Sequence, residues 1–125
     1  MMKENKVRAL LNSGRPGVST RMWSTWPGYL ESLGNIGKYD YFEFVAEYVP
    51  FTQEELANLA RTAELYDMGS MIKVDFMNRG YVAQRAIAAG FQSVLFSDHH
   101  TAAEVRETVN MVKPEGPGSE GHFGY

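Results

Sequence analysis

The sequence predicts an α/β fold of parallel strand–helix units, and three observations predict it. A short apolar strand, a loop and an amphipathic helix recur four times along the 125 residues, as a pattern rather than as repeated residues. The strands begin about 22 to 30 residues apart, the interval expected of βα units in a parallel sheet. None of the strands alternates strictly between apolar and polar residues, which suits a sheet covered on both faces.

Each element has its own signals. Val7, Leu10 and Leu11 form an apolar stripe on a first helix, which Gly14 and Pro16 end. A strand follows near Val18 to Met22. Pro27 sits just inside the next helix start, where its missing N–H costs nothing. Tyr29, Leu30 and Leu33 line that helix, and Gly34 and Gly37 close it. The second strand is Tyr41 to Val45, rich in aromatic and β-branched residues. Thr52 with Glu55 then predicts a capping box, and Phe51 with Leu56 a hydrophobic staple. Leu56, Leu59, Ala60 and Ala63 are the expected buried stripe. Met71 to Val74 is the third strand. Tyr81, Val82, Arg85, Ala86 and Ala89 follow at helical spacing, and Gly90 fits the position just past a helix end. Ser93 to Phe96 is the fourth strand. Thr101 and Glu104 form a second capping box, ahead of Ala102, Val105, Val109 and Val112.

Two architectures fit four such units: a doubly wound sheet or a closed barrel. No GxGxxG turn follows the first strand, which favours the barrel. A whole (β/α)8 TIM barrel needs about 250 residues. The expectation is therefore a single domain over residues 1–125 that amounts to half a barrel. Residues 113–125 form a Gly- and Pro-rich segment, either a disordered end or a loop leading to a fifth strand. The first and fourth strands of a half barrel are open edges. Such a chain is expected to pair with another copy, to pair with a second half, or to be part of a longer protein.

Composition narrows the function classes. The net charge is −3 and there is no Lys/Arg cluster, so nothing suggests nucleic acid or an anionic membrane as a partner. Without cysteine there is neither a disulfide nor a thiolate metal site. No signal-like or spanning apolar run is present, and a cytoplasmic protein is the default expectation.

In parallel barrels, chemistry sits at the C-terminal ends of the strands. Arg21, Met22 and Trp23 fall there after the first strand and Glu47 and Tyr48 after the second. Lys73 and Asp75 follow on the third, and Asp98, His99 and His100 after the fourth. Glu47 and Tyr48 offer a carboxylate and a phenol for proton transfer, or a solvated acid beside a packed aromatic. Lys73, within an apolar strand, can bind an anion or form a Schiff base if its pKa is depressed; otherwise it snorkels to water. Asp98, His99 and His100 can hold a divalent metal or simply lead into the Thr101 cap. Trp23 and Trp26 can wall a ligand or pack in a core.

Three stretches resemble the HpcH/HpaI-type pyruvate aldolases. Lys38 to Pro50 (KYDYFEFVAEYVP) is similar to that family's second-strand block. Met71 to Val74 is similar to its third strand, and Ala88 to Phe96, with an Ala-Gly-x-Gln approach, to its fourth. Leu11 to Pro16 and the Gly-rich segment after the last helix also fit. The resemblance implies a (β/α)8 barrel, an oligomer, and a divalent metal, Mg²⁺ or Mn²⁺. The activity it implies is reversible aldol cleavage of a 2-keto acid, of the 2-keto-3-deoxy sugar acid type, giving pyruvate through a metal-bound enolate.

Departures from the family pattern are concentrated at the site. Tyr48 stands where the family has a histidine, and a free phenol has a reference pKa near 10. Lys73 stands where the family has an arginine that clamps the substrate carboxylate, keeping the charge but losing the fork. The carboxylates that support the histidine fall at Val45 and Ala88. The family's metal ligands lie on the fifth and sixth strands, so no residue of this chain inherits that role. The expected catalytic residues are Tyr48 and Glu47. The expected substrate-binding residues are Lys73, Gln92, Trp23 and Asp98. The expected partner beyond a 2-keto acid is a second copy of the chain.

Overall fold

A computed structural model describes residues 3–124. Five helices and four strands alternate: α1 (Lys6–Ser13), β1 (Ser19–Met22), α2 (Pro27–Ile36), β2 (Tyr41–Val45), α3 (Gln53–Leu65), β3 (Gly69–Val74), α4 (Arg79–Ala89), β4 (Ser93–Phe96) and α5 (Ala102–Val112). The strands pair in sequence order, β1-β2-β3-β4, and every pair is parallel. That order separates the two architectures. A doubly wound sheet reverses its strand order at a switch point. Here the order never reverses, and α2 packs on α3, α3 on α4 and α4 on α5. One helical layer therefore covers one face of the sheet, as in a barrel wall.

The register assigns the faces. Met22, Phe44, Ile72 and Val94 are cross-strand partners. The first three are fully buried and share a core with Leu30, Leu56 and Leu59 of α2 and α3. This is the helix-covered face. Strand residues alternate sides, so the row Arg21, Glu43, Met71 and Ser93 and the row Val45, Lys73 and Leu95 face the inside of the barrel wall.

Local signals explain most element ends. Both expected capping boxes form, at Thr52/Glu55 and Thr101/Glu104. Gly14, Gly37 and Gly90 end α1, α2 and α4 in the left-handed conformation. Phe51 packs edge-on against Phe44, ring centres 5.9 Å apart, fixing the chain's entry into α3.

Three expectations change, at α2, β3 and α5, and the faces of α4 become assignable. Gly34 does not close α2 but lies within it, because a β-carbon there would run into the Tyr66 ring. β3 begins two residues earlier than expected, at Gly69, held by its N–H to Asp40 O at 2.8 Å. In α4 the buried residues are Ala83 and Ala86, while Tyr81 and Arg85 face outward. In α5 the buried position is Thr108, and Val105 and Val109 are exposed. The segment after α5 folds back on itself. Glu115 N donates to Phe123 O, Phe123 N to Lys113 O, and His122 N to Asn110 O of the helix. Gly121 is required there, since a β-carbon would collide with the Lys113 and Pro114 carbonyls. No helix among the described residues is long and apolar enough to cross a membrane.

Candidate functional site

The strand ends at the C-terminal rim bring Glu47, Tyr48, Lys73 and Asp98 together. Lys73 comes off β3 on the inner face, beside Val45 of β2. Glu47 and Tyr48 follow β2 in a turn closed by Tyr48 N donating to Val45 O at 3.3 Å. The Lys73 ammonium bonds Glu47 Oε2. Both side chains are largely buried, with 20% and 12% of their surface exposed. Lys73 Nζ also lies 5.1 Å from the centre of the Tyr48 ring, a cation–π arrangement. Asp98 follows β4 with φ 60, a conformation that Asp tolerates better than most residues.

These neighbours decide the protonation of Lys73. The hydrogen bond to Glu47 raises its pKa above the ordinary 10.5. Desolvation opposes this, and the charges of Glu47, Tyr48 and Asp98 add to the rise. An ammonium held so firmly is not a nucleophile near neutral pH, because Schiff-base lysines need a depressed pKa. The ion pair with Glu47 favours the anion-binding alternative for Lys73 over the imine-forming one.

The other expected residues are placed differently. Trp23 follows β1 and is exposed. Gln92 precedes β4 and sits at the opposite end of the strands from the rim. Its Oε1 accepts from Lys6 N at 3.4 Å, its Nε2 donates to Glu4 O at 3.2 Å, and its O accepts from Asn5 Nδ2 at 2.5 Å. Gln92 is thus the mooring of α1 and is not gathered with the rim cluster. His99 turns to α5, where Nε2 lies 2.9 Å from Thr108 Oγ1. The Thr108 hydroxyl also lies within hydrogen-bond reach of the Glu104 and Val105 carbonyls. His100 donates its N–H to Glu104 Oε2 at 2.6 Å. The Asp98-His99-His100 run thus leads into the α5 cap. Among the described residues no three His, Asp or Glu side chains converge to hold a metal ion. The residues present do not fit a metal site.

One pair lay unnoticed in the sequence. Arg21 Nε lies 3.3 Å from Glu43 Oε1 on the inner face, one row below Lys73. That oxygen is buried and has no aligned hydrogen bond among the described residues. The signal was available: Glu43 stands between Phe42 and Phe44, and strand alternation puts it on the face opposite both.

No family model and no curated protein matches the chain. Solved structures do match. A citrate synthase, SbnG, superposes with a TM-score of 0.79 at 19% identity, over 86% of this chain and 43% of its own. An HpcH/HpaI aldolase from Desulfitobacterium hafniense DCB-2 gives 0.76 at 23% identity, over 86% of this chain and 41% of its own. An HpcH/Hpal aldolase/citrate lyase family protein from Burkholderia cenocepacia J2315 gives 0.79 at 20%, over 95% and 47%. The chain spans less than half the length of each. In fold, the chain is half of a (β/α)8 barrel with the architecture of these aldolase-type structures.

Proposed function

We propose that the chain supplies half of a carbon–carbon lyase barrel of the HpcH/HpaI aldolase type. The reaction is reversible cleavage of a 2-keto acid, of the 2-keto-3-deoxy sugar acid type, to pyruvate and an aldehyde. The observation that carries this reading is the Glu47–Lys73 pair beside Tyr48 at the strand ends. The likeness in fold to aldolase and citrate lyase structures supports it.

The pair suits an aldol cleavage because its charges can be exchanged. Lys73 holds the substrate carboxylate and keto oxygen. Glu47 takes the proton of the C4 hydroxyl, and C4–O closes to a carbonyl as the C3–C4 bond breaks. The electron pair passes to the C2 keto oxygen as an enolate. As Glu47 becomes neutral, Lys73 loses its counter-ion and is free to offset the enolate charge. A proton delivered to C3 through the Tyr48 phenol gives pyruvate, and the proton on Glu47 replaces it. Asp98 and Trp23 border the substrate. A divalent ion, Mg²⁺ or Mn²⁺, belongs to this reading as a Lewis acid, but its ligands would have to be residues other than those described.

The test is pyruvate release from 2-keto-3-deoxy sugar acids by the polypeptide with all eight strands, with Mg²⁺ or Mn²⁺ added. Release is expected, and E47Q is expected to lower it roughly 100-fold or more, the usual cost of removing a general base. A folded eight-stranded polypeptide that released no pyruvate would end the reading.

A second reading, a non-catalytic half barrel that associates with another copy, is favoured by the open edge of β4 and by the exposed Leu95 on that strand and Val105 and Val109 on α5. Light scattering separates the two. A well-folded monomer in dilute solution would count against self-association.

A further inference from the structure

α4 starts against the rules that the other helices follow. Asn5 caps α1 by accepting from Arg8 N, α2 has Pro27 at its first position, and α3 and α5 have their capping boxes. Asn78 precedes α4 without capping it. Its backbone N–H and its Nδ2 both donate to Asp75 Oδ2 at 2.9 Å, so the side chain is turned back into the loop. No acidic residue sits in the first turn. Arg79 stands there instead, a cation at the positive end of the helix dipole, and Gly80 follows it with an unrestricted backbone. A missing cap and a helical glycine each shift a local opening equilibrium by about fivefold.

Tertiary contacts hold this turn where local ones do not. The Arg79 guanidinium lies 4.1 Å from the centre of the Phe76 ring, donates from Nη1 to Phe76 O at 2.7 Å, and brings Nη2 to 3.2 Å from Glu107 Oε2 on α5. Its Nε–H is buried without a hydrogen-bond partner among the described residues, which folded proteins ordinarily avoid. The Glu107 side chain is 54% exposed, so water competes for the pair. Gly80 lies against α5, where a β-carbon would come 3.0 Å from Met111 Sδ. On the α3 side the exposed Gln53 amide reaches Tyr81 Oη at 2.7 Å, a bond between surface groups. Local rules that fail together in one segment mark a strained or functional place. This segment begins two residues after Lys73, and Asp75 and Asn78 line the same cleft of about 690 Å3 as Glu47.

We propose that residues 75–80 are a gate beside the Lys73–Glu47 pair. It opens by unwinding the first turn of α4 while the sheet and the other helices stay folded, and the Arg79–Glu107 pair is its latch. Stability is uneven across a fold, and moving elements come from its least stable parts. Opening gives the stranded Arg79 Nε–H to water and widens the approach to Lys73.

The test is hydrogen exchange of the full polypeptide at pH 7, followed by NMR. The Val82 and Leu56 N–H groups are equivalent, each donating to the residue before its helix, Asn78 O at 3.0 Å and Thr52 O at 3.2 Å. Protection at Val82 is expected to be roughly tenfold or more below that at Leu56. E107Q weakens the latch from an exposed position. It is expected to lower Val82 protection a further two- to fivefold or so, the worth of an exposed pair, and to leave Leu56 unchanged. The Lys73 ammonium protons read the site itself. E107Q should speed their exchange with water to a similar extent and spare those of Lys6, paired with Asp67 at 2.6 Å. Equal protection at Val82 and Leu56 in the unaltered protein would overturn the gate. So would an E107Q protein that keeps Val82 protected, that loosens both amides alike, or that opens Val82 without speeding Lys73. None of these measurements requires a keto acid to be cleaved, so the gate and the lyase reading stand or fall separately.

Discussion

Lys73 Nζ bonds Glu47 Oε2, tying the inner face of β3 to the turn that follows β2.

The Lys73 pKa is raised, first by the Glu47 hydrogen bond. A raised pKa means that the folded state binds this proton more tightly than the unfolded chain does. The pair's stabilisation is therefore complete below the ordinary lysine value of 10.5 and is lost as pH rises through the higher folded value. Denaturant midpoints between pH 7 and 12 should show an alkaline fall that is smaller in K73M. At pH 7, borohydride with pyruvate should add no mass at Lys73, and mass spectrometry of the peptide checks this.

Gln92 should matter to α1 and not to the substrate. Its side chain joins the Lys6 N–H to the Glu4 carbonyl. Q92A should cost about 1 kcal/mol, the usual net worth of such bonds, and should expose α1 to proteolysis. The KM for a 2-keto acid should not move. A raised KM at unchanged stability would return Gln92 to the binding site.

Both capping boxes stabilise through carboxylates as well as hydroxyls. T52A and T101A should each cost about 1 kcal/mol, measured by urea unfolding. The pKa of Glu55 is lowered chiefly by the Thr52 backbone N–H, and that of Glu104 by the N–H groups of His100 and Thr101. A lowered folded pKa gives stability above the ordinary value of 4.5 that is lost as pH falls through the folded value. E55Q and E104Q should therefore be less stable at pH 7 and show a shallower decline below pH 4.5.

Gly34 is constrained by a neighbour rather than by its backbone. A β-carbon at 34 meets the Tyr66 ring at the end of α3. G34A should destabilise by about 1–3 kcal/mol despite alanine's better helix propensity. The double substitution G34A/Y66A, which removes the ring, should recover part of that loss, a non-additivity that thermal melts can read.

Much of this was legible in the residues. The second and fourth strands and both capping boxes are where the local chemistry predicts, because caps and strand composition act over three to five residues. The apolar stripe of α5 was legible too, yet it did not identify what is buried. Val105 and Val109 have the right spacing, but Thr108 is the residue that packs inward, its hydroxyl satisfied by Glu104 O and Val105 O. Periodicity finds an apolar face and is silent about whether anything covers it.

Local sequence determined the number and order of the elements and most of their ends, and the concentration of titratable groups after the strands. Tertiary structure alone decided that the strands pair in sequence order, that Lys73 meets Glu47 instead of water, and that Gln92 belongs to the far end of the sheet. The reason is range. Caps, turns and strand propensity act between residues a few positions apart, so they can be read along the chain. The Lys73–Glu47 bond joins residues 26 positions apart and the Gln92–Lys6 bond residues 86 apart, and such partners meet only once the sheet has set their register.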